Sequence, residues 1–318
     1  MADESGRRLI NVPRVAVLAT ACTIVLAACA GTSAGSKGSP STHQRGASTK
    51  TAGTIVFVND KDGNPTNPDY DESIYVINAD GTGLRPLLHG SWVDSPTWSP
   101  DRSRIAFAKQ SGSQSDIYAI NVDGSHLTRL TNDGADFGPA WSPAGDQIGF
   151  LKDEGTAGTS IYVMKTDGSQ PGWVAATQGA AWRLSWSLDG KKIAFESPEN
   201  GVTSIEVVSA QTSGVNSGVA VTAGETPAWS PDGKLLAFVK EGHVYISMSD
   251  GTAQRRVSTS DQHYYWPSWA PDGRSLAVDG DATGAMQIYV IAVDGSGQRQ
   301  LTTLPGASFS PAWTGPNA

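Results

Sequence analysis

The sequence predicts an all-β protein, a six-bladed β-propeller of four-stranded blades. Glycine is abundant, at 36 of 318 residues, and charged residues make up only 17%, as expected of many short strands joined by tight turns. A tryptophan recurs six times at intervals of 40 to 45 residues, which is the length of a four-stranded blade. The six residues are Trp98, Trp141, Trp186, Trp229, Trp269 and Trp313.

Each repeat carries its strand and turn signals in the same order, and the fourth repeat shows all of them. Ser-Pro-Asp-Gly at residues 230–233 predicts a hairpin turn, because proline presets its own φ and glycine accepts a positive φ. Leu-Ala-Phe at 236–238 predicts the second strand and Val-Tyr at 244–245 the third. Asp-Gly at 250–251 predicts the next turn, and Val-Ser at 257–258 is assigned to the outer strand.

The order of these signals also predicts how the ring closes. The propeller domain, residues 53–318, begins with a second strand near Ile55 and ends with an innermost strand at residues 311–313. We therefore expect the C-terminal strand to complete the blade that the N-terminal strands begin. Without that pairing, two sheet edges would stay open.

The residues before the repeats have the organisation of a bacterial export signal. Three arginines precede an apolar run over residues 15–28, which is too short to span a bilayer comfortably. The run ends in Leu-Ala-Ala-Cys at residues 26–29, which resembles the lipobox, a motif whose cysteine is acylated before cleavage. The resemblance implies a signal peptide over residues 1–28 and lipid attachment at Cys29.

A change of composition follows this signal. Residues 29–52 are mostly small or polar and show no apolar periodicity, so we expect a flexible tether between the acylated cysteine and the propeller. The expected location is the cell membrane, where the lipid-anchored protein faces the extracytoplasmic side, in the periplasm or at the cell surface.

Charge and composition exclude several classes of function. The formal net charge of −8 argues against nucleic acid as a partner, because phosphate binding needs clustered lysine and arginine. Cys22 and Cys29 both precede the propeller, so we expect no disulfide and no cysteine-ligated metal in it. The five histidines stand alone, without the spacing of metal ligands or of acid–base pairs. We therefore expect no catalytic residues, no metal and no cofactor, in a protein that is not an enzyme.

The repeat has a known counterpart. Trp-Ser-Pro-Asp-Gly, Ile-Ala-Phe, Ile-Tyr-Val, Asp-Gly and Leu-Thr recur in this order over residues 53–318 and resemble the TolB-like repeat, also called WD40-like or PD40. The resemblance implies a binding or scaffold protein of the cell envelope. TolB proteins carry an α/β domain before the propeller, and only the tether precedes it here, so a Tol–Pal role is not implied. The alternative is an enzyme acting on cell-envelope or extracellular polysaccharide, as in TolB-like lyases, whose metal-binding histidines this sequence lacks.

Residues that the repeat does not require cluster just before the innermost strands. Four residues before each repeat tryptophan, four blades have an aromatic residue and two have a carboxylate. These loops converge on one mouth of the channel, so we expect a monomer that binds a protein, peptide or glycan partner there. The alternative is that the rings plug the channel and pack between blades. The candidate residues are Trp92, Asp94, Asp136, Phe137, Trp182, Arg183, Glu225, His263, Tyr264, Tyr265, Trp266 and Phe309.

Overall fold

Six antiparallel sheets of four strands each form the propeller in the computed structural model, which confirms the predicted fold. The structure describes residues 52–61, 72–90, 92–177, 179–199, 201–211, 217–282 and 284–315. The signal peptide, Cys29 and the tether up to residue 51 are predictions that lie outside the described residues. Thr51–Ala318 forms one compact unit.

Each blade has an innermost, a second, a third and an outer strand, counted from the channel. The innermost strands are β4 (Trp92–Trp98), β8 (Asp136–Trp141), β12 (Leu184–Trp186), β16 (Glu225–Trp229), β20 (Tyr264–Trp269) and β24 (Ala307–Thr314). The second strands are β1 (Thr54–Asp60), β5 (Arg104–Ser111), β9 (Gln147–Asp153), β13 (Lys192–Glu199), β17 (Leu235–Lys240) and β21 (Ser275–Gly280). The third strands are β2 (Glu72–Asn78), β6 (Gln114–Asn121), β10 (Thr159–Lys165), β14 (Val202–Ser209), β18 (His243–Met248) and β22 (Gln287–Ala292). The outer strands are β3 (Arg85–Leu88), β7 (Thr128–Arg129), β11 (Gly172–Ala176), β15 (Val219–Ala223), β19 (Arg255–Arg256) and β23 (Gln298–Gln300).

The second strands form the core of the blades. Ile105, Ala106 and Phe107 of β5 are fully buried. Phe107 lies opposite Tyr118 of β6 in the strand register, and the two rings stack with their centroids 6.2 Å apart. Equivalent Phe–Tyr pairs stack in three further blades. The repeated phenylalanine and tyrosine are therefore one cross-strand pair, which ties the second strand to the third.

The turn after the tryptophan is held by a serine and an aspartate in four blades. In blade 5 (β16 to β19), the Ser230 hydroxyl donates to Asp232 at 2.7 Å and accepts the backbone N–H of Leu235 at 2.9 Å. The Ser230 hydroxyl bond lowers the pKa of the Asp232 carboxyl. Gly233 has a φ of 71°, the left-handed value that favours glycine. The Ser-Pro-Asp-Gly motif is thus explained as turn chemistry and needs no functional role.

The outer strand of blade 5 ends earlier than the sequence predicts. Val257 and Ser258, assigned to the outer strand, lie just beyond β19. The Val257 N–H still donates to the carbonyl of Val244 at 2.9 Å. The Ser258 hydroxyl accepts the backbone N–H of Val244 at 3.1 Å. The hydroxyl replaces a backbone acceptor at this point, so the backbone N–H of the third strand stays hydrogen-bonded where the chain leaves the sheet.

Neighbouring blades are joined through the repeat tryptophans in two alternating ways. Three indole N–H groups donate to a carbonyl oxygen of the preceding blade at 2.9 to 3.1 Å: Trp98 to Ala312, Trp186 to Ala140 and Trp269 to Ala228. At two of the joints between them, a serine hydroxyl accepts the backbone N–H of the tryptophan at 2.9 Å: Ser185 from Trp229 and Ser268 from Trp313. The residue before the tryptophan accordingly alternates between a hydroxyl residue and alanine around the ring.

Blade 1 contains both ends of the propeller and confirms the predicted closure. Its sheet has the order β24-β1-β2-β3. β24 pairs antiparallel with β1, with Trp313 opposite Ile55 and Ser308 opposite Asn59. The C-terminal strand therefore leaves no open edge between the first and last segments of the propeller.

Candidate channel-mouth site

The central channel is lined by the six innermost strands. It contains a cavity of about 410 Å³ at the end where the repeat tryptophans and the Ser-Pro turns lie. Arg183 also lines this cavity. Because all six innermost strands run toward those turns, their first residues form the opposite mouth. The predicted site residues belong to that mouth by their position in the chain.

Five of the six innermost strands bend at the same point near that mouth. In each of the five, the pairing with the second strand shifts by one residue, as in a β-bulge. The residue three positions before the tryptophan is left-handed, with φ between 50° and 57°, in Ser95, Gly138, Thr226, Trp266 and Ser310. A proline follows in all five. Proline has no N–H for the ladder, so it suits a strand position that the bulge leaves unpaired.

Blade 4, formed by β12 to β15, departs from this pattern. Leu184 stands where the other blades have proline, and the innermost strand β12 is only three residues long. Arg183 occupies the position that is left-handed elsewhere and is absent from the left-handed residues of the described chain. The start of the strand is therefore not bulged in this blade, and the chain before it takes a different path.

Arg183 reaches from blade 4 to blades 1 and 6. Its Nη2 donates to the carbonyl oxygen of Pro311 in β24 at 3.1 Å, and its Cζ lies 5.4 Å from the ring centroid of Trp266. An indole face attracts a guanidinium at this distance. The Nη1 group is buried and has no hydrogen-bond partner among the described residues. Arg183 is thus fixed by two distant blades while one of its donor groups is unused.

Three carboxyl groups act electrostatically on this guanidinium, and we call them the channel acids: Asp94, Glu196 and Asp279. The two oxygens of Glu196 accept the backbone N–H groups of Trp182 at 2.8 Å and of Thr226 at 2.7 Å. Burial raises the pKa of Glu196 to about 7, although these hydrogen bonds lower it. Asp94 accepts the Ser310 hydroxyl at 2.9 Å, which links it to β24, and burial raises the pKa of Asp94.

Asp279 is the least satisfied of the three. Its side chain is 1% exposed, and its Oδ1 finds no hydrogen-bond partner in the part of the chain that the structure describes. Burial raises the pKa of Asp279 well above its ordinary value, and the charge of Arg183 opposes that shift. A buried carboxyl without a full set of partners costs stability.

Glu196 and Asp279 were not predicted as site residues because they lie on second strands, β13 and β21, whereas the predicted residues precede or begin the innermost strands. Both residues come directly after the Ile-Ala-Phe-like signal of a second strand. The same position is apolar in the other four blades, at Val58, Ala108, Leu151 and Val239. A carboxylate at a position that is otherwise apolar was therefore the sequence signal that could have identified them.

Six other predicted residues are connected to Arg183, directly or through one neighbouring residue: Asp94, Phe137, Trp182, Glu225, Tyr265 and Trp266. The rings of Phe137 and Trp182 pack with their centroids 5.9 Å apart. Tyr265 lies opposite Asp279 in the strand register. The charge of the exposed Glu225 acts on Tyr265, and burial raises the pKa of Glu225. Partly exposed rings and partly buried charges therefore share this mouth.

Two predicted residues lie in the interior of their blades instead. Asp136 and Tyr264 stand five residues before the tryptophan, a position that is buried in all six blades. Tyr264 is fully buried, and its hydroxyl donates to Gln298 of β23 at 2.7 Å. The bulge adds one residue to the strand, so alternation counted back from the tryptophan misassigns the facing of the residues before it.

Three further predicted residues have other surroundings. Trp92, at the start of β4, is 36% exposed. His263 is exposed, with its Nδ1 3.9 Å from a carboxylate oxygen of Asp281. Phe309 packs against the core shared by blades 1 and 2. These residues have no described contact with Arg183.

Asp136 belongs to a second set of carboxylates, the blade-edge acids: Asp116, Asp133 and Asp136. Their oxygens lie within 4.8 Å of one another, the one potential metal-binding group among the described residues. Arg129 Nη2 lies 2.5 Å from Asp116, and Lys152 forms an ion pair with Asp133. Burial raises the pKa of Asp136 to about 7. The chain thus already supplies two cations to the oxygens that a metal would need.

Within the described residues, no helix is both long and apolar enough to cross a membrane.

Comparison with known proteins shows several relatives of the propeller. An uncharacterized peptidase of Bacillus subtilis is 27% identical over 106 residues, which cover 30% of this chain and 16% of that protein. The Tol–Pal system protein TolB of Bordetella parapertussis is 35% identical over 142 residues, or 42% of this chain and 32% of that protein. The chain thus matches about a third or less of the length of these curated relatives.

The crystal structure of TolB from Acinetobacter baumannii superposes with a TM-score of 0.71 at 21% identity, covering 82% of this chain and 66% of that one. This likeness shows a shared propeller fold. The model of the TolB β-propeller domain, PD40, matches residues 89–241 and 225–317. These matches span most of the propeller, and the chain belongs to the TolB β-propeller family.

Proposed function

We propose that this protein is a membrane-anchored, extracytoplasmic binding protein whose propeller takes a protein or peptide partner of the cell envelope at the channel mouth. One observation carries the proposal. The mouth collects aromatic and charged side chains that the repeat does not require, and the blade that departs from the repeat places Arg183 in the channel, against the ring of Trp266. Binding sites need such position-specific groups on a rigid scaffold.

The relatives support a place in the cell envelope. Several of them are named as proteins of the Tol–Pal system. From those names we infer only that the partner belongs to the cell envelope. Since the matching region covers 32% of the Bordetella proteins, we do not extend their particular partners to this chain.

Lipid attachment at Cys29 is part of the proposal. Each buried methylene of an acyl chain contributes about 0.8 kcal/mol of membrane affinity, so two or more chains anchor a protein stably. We expect Cys29→Ala to abolish metabolic labelling with palmitate, while Cys22→Ala, the matched control in the signal region, keeps it. Equal labelling of the Cys29→Ala chain would remove the anchor from the proposal.

We favour binding over catalysis because the acids at the mouth are engaged in holding the structure. Glu196 accepts two backbone N–H groups and Asp94 accepts a hydroxyl group. The carboxylate oxygens of these residues are therefore not free to act as an acid–base pair. Two enzyme alternatives remain, a peptidase like the named Bacillus relative and an enzyme that acts on polysaccharide. Both are tested by the partner search described next. Aromatic faces stack on sugars too, so a glycan is the alternative partner.

The proposal is tested by capturing partners from cell envelope with the full-length chain and its variants. Trp182→Ala and Trp266→Ala should each weaken binding by about 2 kcal/mol or more if these rings are anchors. Trp173→Ala, which removes a half-buried tryptophan of outer strand β11, is the matched control. The melting temperature of each variant is measured in parallel.

Undiminished capture by both variants would place the binding site elsewhere on the propeller. Lost capture together with a large fall in melting temperature would favour the channel-plug alternative. Retained sugar binding with no captured protein would favour a glycan partner.

A further inference from the structure

We propose that the channel mouth recognises a positively charged group of its partner, a lysine or arginine side chain or a peptide amino terminus, through the channel acids Asp94, Glu196 and Asp279. This inference rests on the proposed function, because it names the chemistry of the partner at the same site. It follows from charge balance, from unused hydrogen-bonding capacity and from the positions of the acids in the repeat.

Charge balance comes first. Three carboxyl groups act on one guanidinium, that of Arg183. Arginine stays protonated in proteins, so ionisation of all three acids would leave two negative charges without a partner. Burial raises the pKa of each acid, and a second cation beside them would favour the ionised form. The exposed Glu225 adds a fourth carboxylate whose charge acts on Glu196. A second cation at the mouth would restore the balance in a site where water screens charges weakly.

Unused hydrogen-bonding capacity indicates where that cation fits. Oδ1 of Asp279 is buried and has no hydrogen-bond partner among the residues that the structure describes. Two of the three acids are almost completely buried, with Glu196 2% and Asp279 1% exposed. An ammonium or guanidinium group carries several donors, so it satisfies such an acceptor better than a neutral group does.

The positions of Glu196 and Asp279 show that the repeat does not require a carboxylate there. Glu196 and Asp279 replace the apolar residues that four other blades have at the same place. Apolar residues there fill the blade without the desolvation penalty that a carboxyl group brings. Polar groups that cost stability on a repeated scaffold are typical of sites for a ligand.

Arg183 taken alone would favour an anionic ligand, but its surroundings argue against one. A carboxylate approaching Arg183 would meet the three channel acids as well, and like charges at short range repel. Aromatic faces point the same way, since Trp182, Tyr265 and Trp266 would stabilise a cation and not an anion.

The test uses three acetylated tripeptide amides that differ only in the central residue: arginine, its neutral analogue citrulline, and glutamate. Each is titrated at pH 7.5 into the full-length chain purified in detergent, with tryptophan fluorescence as the readout. We expect the arginine peptide to bind at least about tenfold more tightly than the other two, because a single charge-assisted contact is lost in each.

The acids are then tested one at a time with isosteric changes. Asp279→Asn should weaken the arginine peptide about tenfold and leave the citrulline peptide unchanged. Asp261→Asn removes the same charge from a fully exposed residue of the same blade region, 101% exposed in its side chain, and should change the Kd less than about twofold. Asp94→Asn serves as the second variant if Asp279→Asn fails to fold.

Several outcomes would overturn the inference. They are equal binding of the arginine and citrulline peptides, preference for the glutamate peptide, equal losses in Asp279→Asn and Asp261→Asn, or displacement of the arginine peptide by Ca²⁺ alone at equal concentration. The inference also fails separately from the proposed function. Envelope capture that Trp182→Ala loses and Asp279→Asn keeps would preserve the site and reject the cationic partner.

Discussion

The molecule holds two groups of three carboxylates, and the chain supplies a different amount of positive charge to each. The blade-edge acids receive two cations, Arg129 and Lys152, each bonded to its own carboxylate. The channel acids share one cation, Arg183, which bonds instead to a backbone carbonyl. Each group contains one buried oxygen without a hydrogen-bond partner among the described residues, Oδ1 of Asp136 and Oδ1 of Asp279. The channel acids have the larger excess of carboxylates over cations, which is the state expected of a group that binds a cationic partner.

Both groups contain buried carboxyls: Asp116 is 4% and Asp136 1% exposed at the blade edge, and Glu196 is 2% and Asp279 1% exposed in the channel. The cations differ in their access to water. Arg129 and Lys152 are 43% and 25% exposed in their side chains, whereas Nη1 of Arg183 is fully buried. Removing the channel cation should therefore affect stability more than removing a cation of the blade edge.

The largest effect should come from removing the strand that holds the channel group together. Deletion of residues 307–318 removes β24, and with it the carbonyl that receives Arg183 and the hydroxyl that receives Asp94. It also opens two sheet edges, so the loss should be comparable to the whole stability of a domain, roughly 5 to 15 kcal/mol. Circular dichroism during heating measures it. A cooperative transition at the wild-type temperature would contradict the closure of blade 1 by β24.

The next effect compares the two arginines. Arg183→Met should lower the free energy of unfolding by about 3 kcal/mol at neutral pH, because it leaves buried carboxylates with no cation. Arg129→Met should cost about 1 kcal/mol or less, because that side chain is 43% exposed and its ion pair is screened. Urea unfolding of both variants provides the measurement. Similar losses of unfolding free energy in the two variants would contradict the proposed difference between the channel acids and the blade-edge acids.

The smallest effect concerns pH. The folded pKa of Asp279 is raised, so the folded chain keeps a proton that the unfolded chain releases. Wild-type stability therefore falls as pH rises from the unfolded pKa of aspartate, near 4, through the higher folded pKa. Asp279→Asn lacks that fall, so its stability relative to wild type should increase from pH 5 to pH 8. Urea unfolding at both pH values measures the difference, with Asp261→Asn as the control. Parallel pH profiles for Asp279→Asn and wild type would show that Asp279 ionises freely.

The repeat made the fold predictable from the sequence. Tryptophan spacing and the Ser-Pro-Asp-Gly turns define six blades, and the order of signals at Ile55 and Trp313 defines the closure. The tryptophan and turn signals are local and recur, with variations, from blade to blade. An irregularity in one blade therefore does not hide the repeat.

The site was predictable only in part, because it consists of irregularities. The aromatic residues were predicted by counting back four residues from the tryptophans, and Arg183, Asp136 and Tyr264 as neighbours of those positions. The structure buries Asp136 and Tyr264 just before the bulge, which the sequence alone does not reveal. The loss of proline at Leu184 is visible in the sequence, but the path of Arg183 across the channel depends on tertiary contacts with blades 1 and 6.

Strand β24 has one more consequence, for the order of events during synthesis. It is the last strand of the propeller to leave the ribosome, and it carries Ser310 and Pro311, the contacts of Asp94 and Arg183. A chain that ends before β24 lacks both contacts and cannot assemble the complete mouth. Partner binding at this mouth would then report that β24 has been made and has paired with β1.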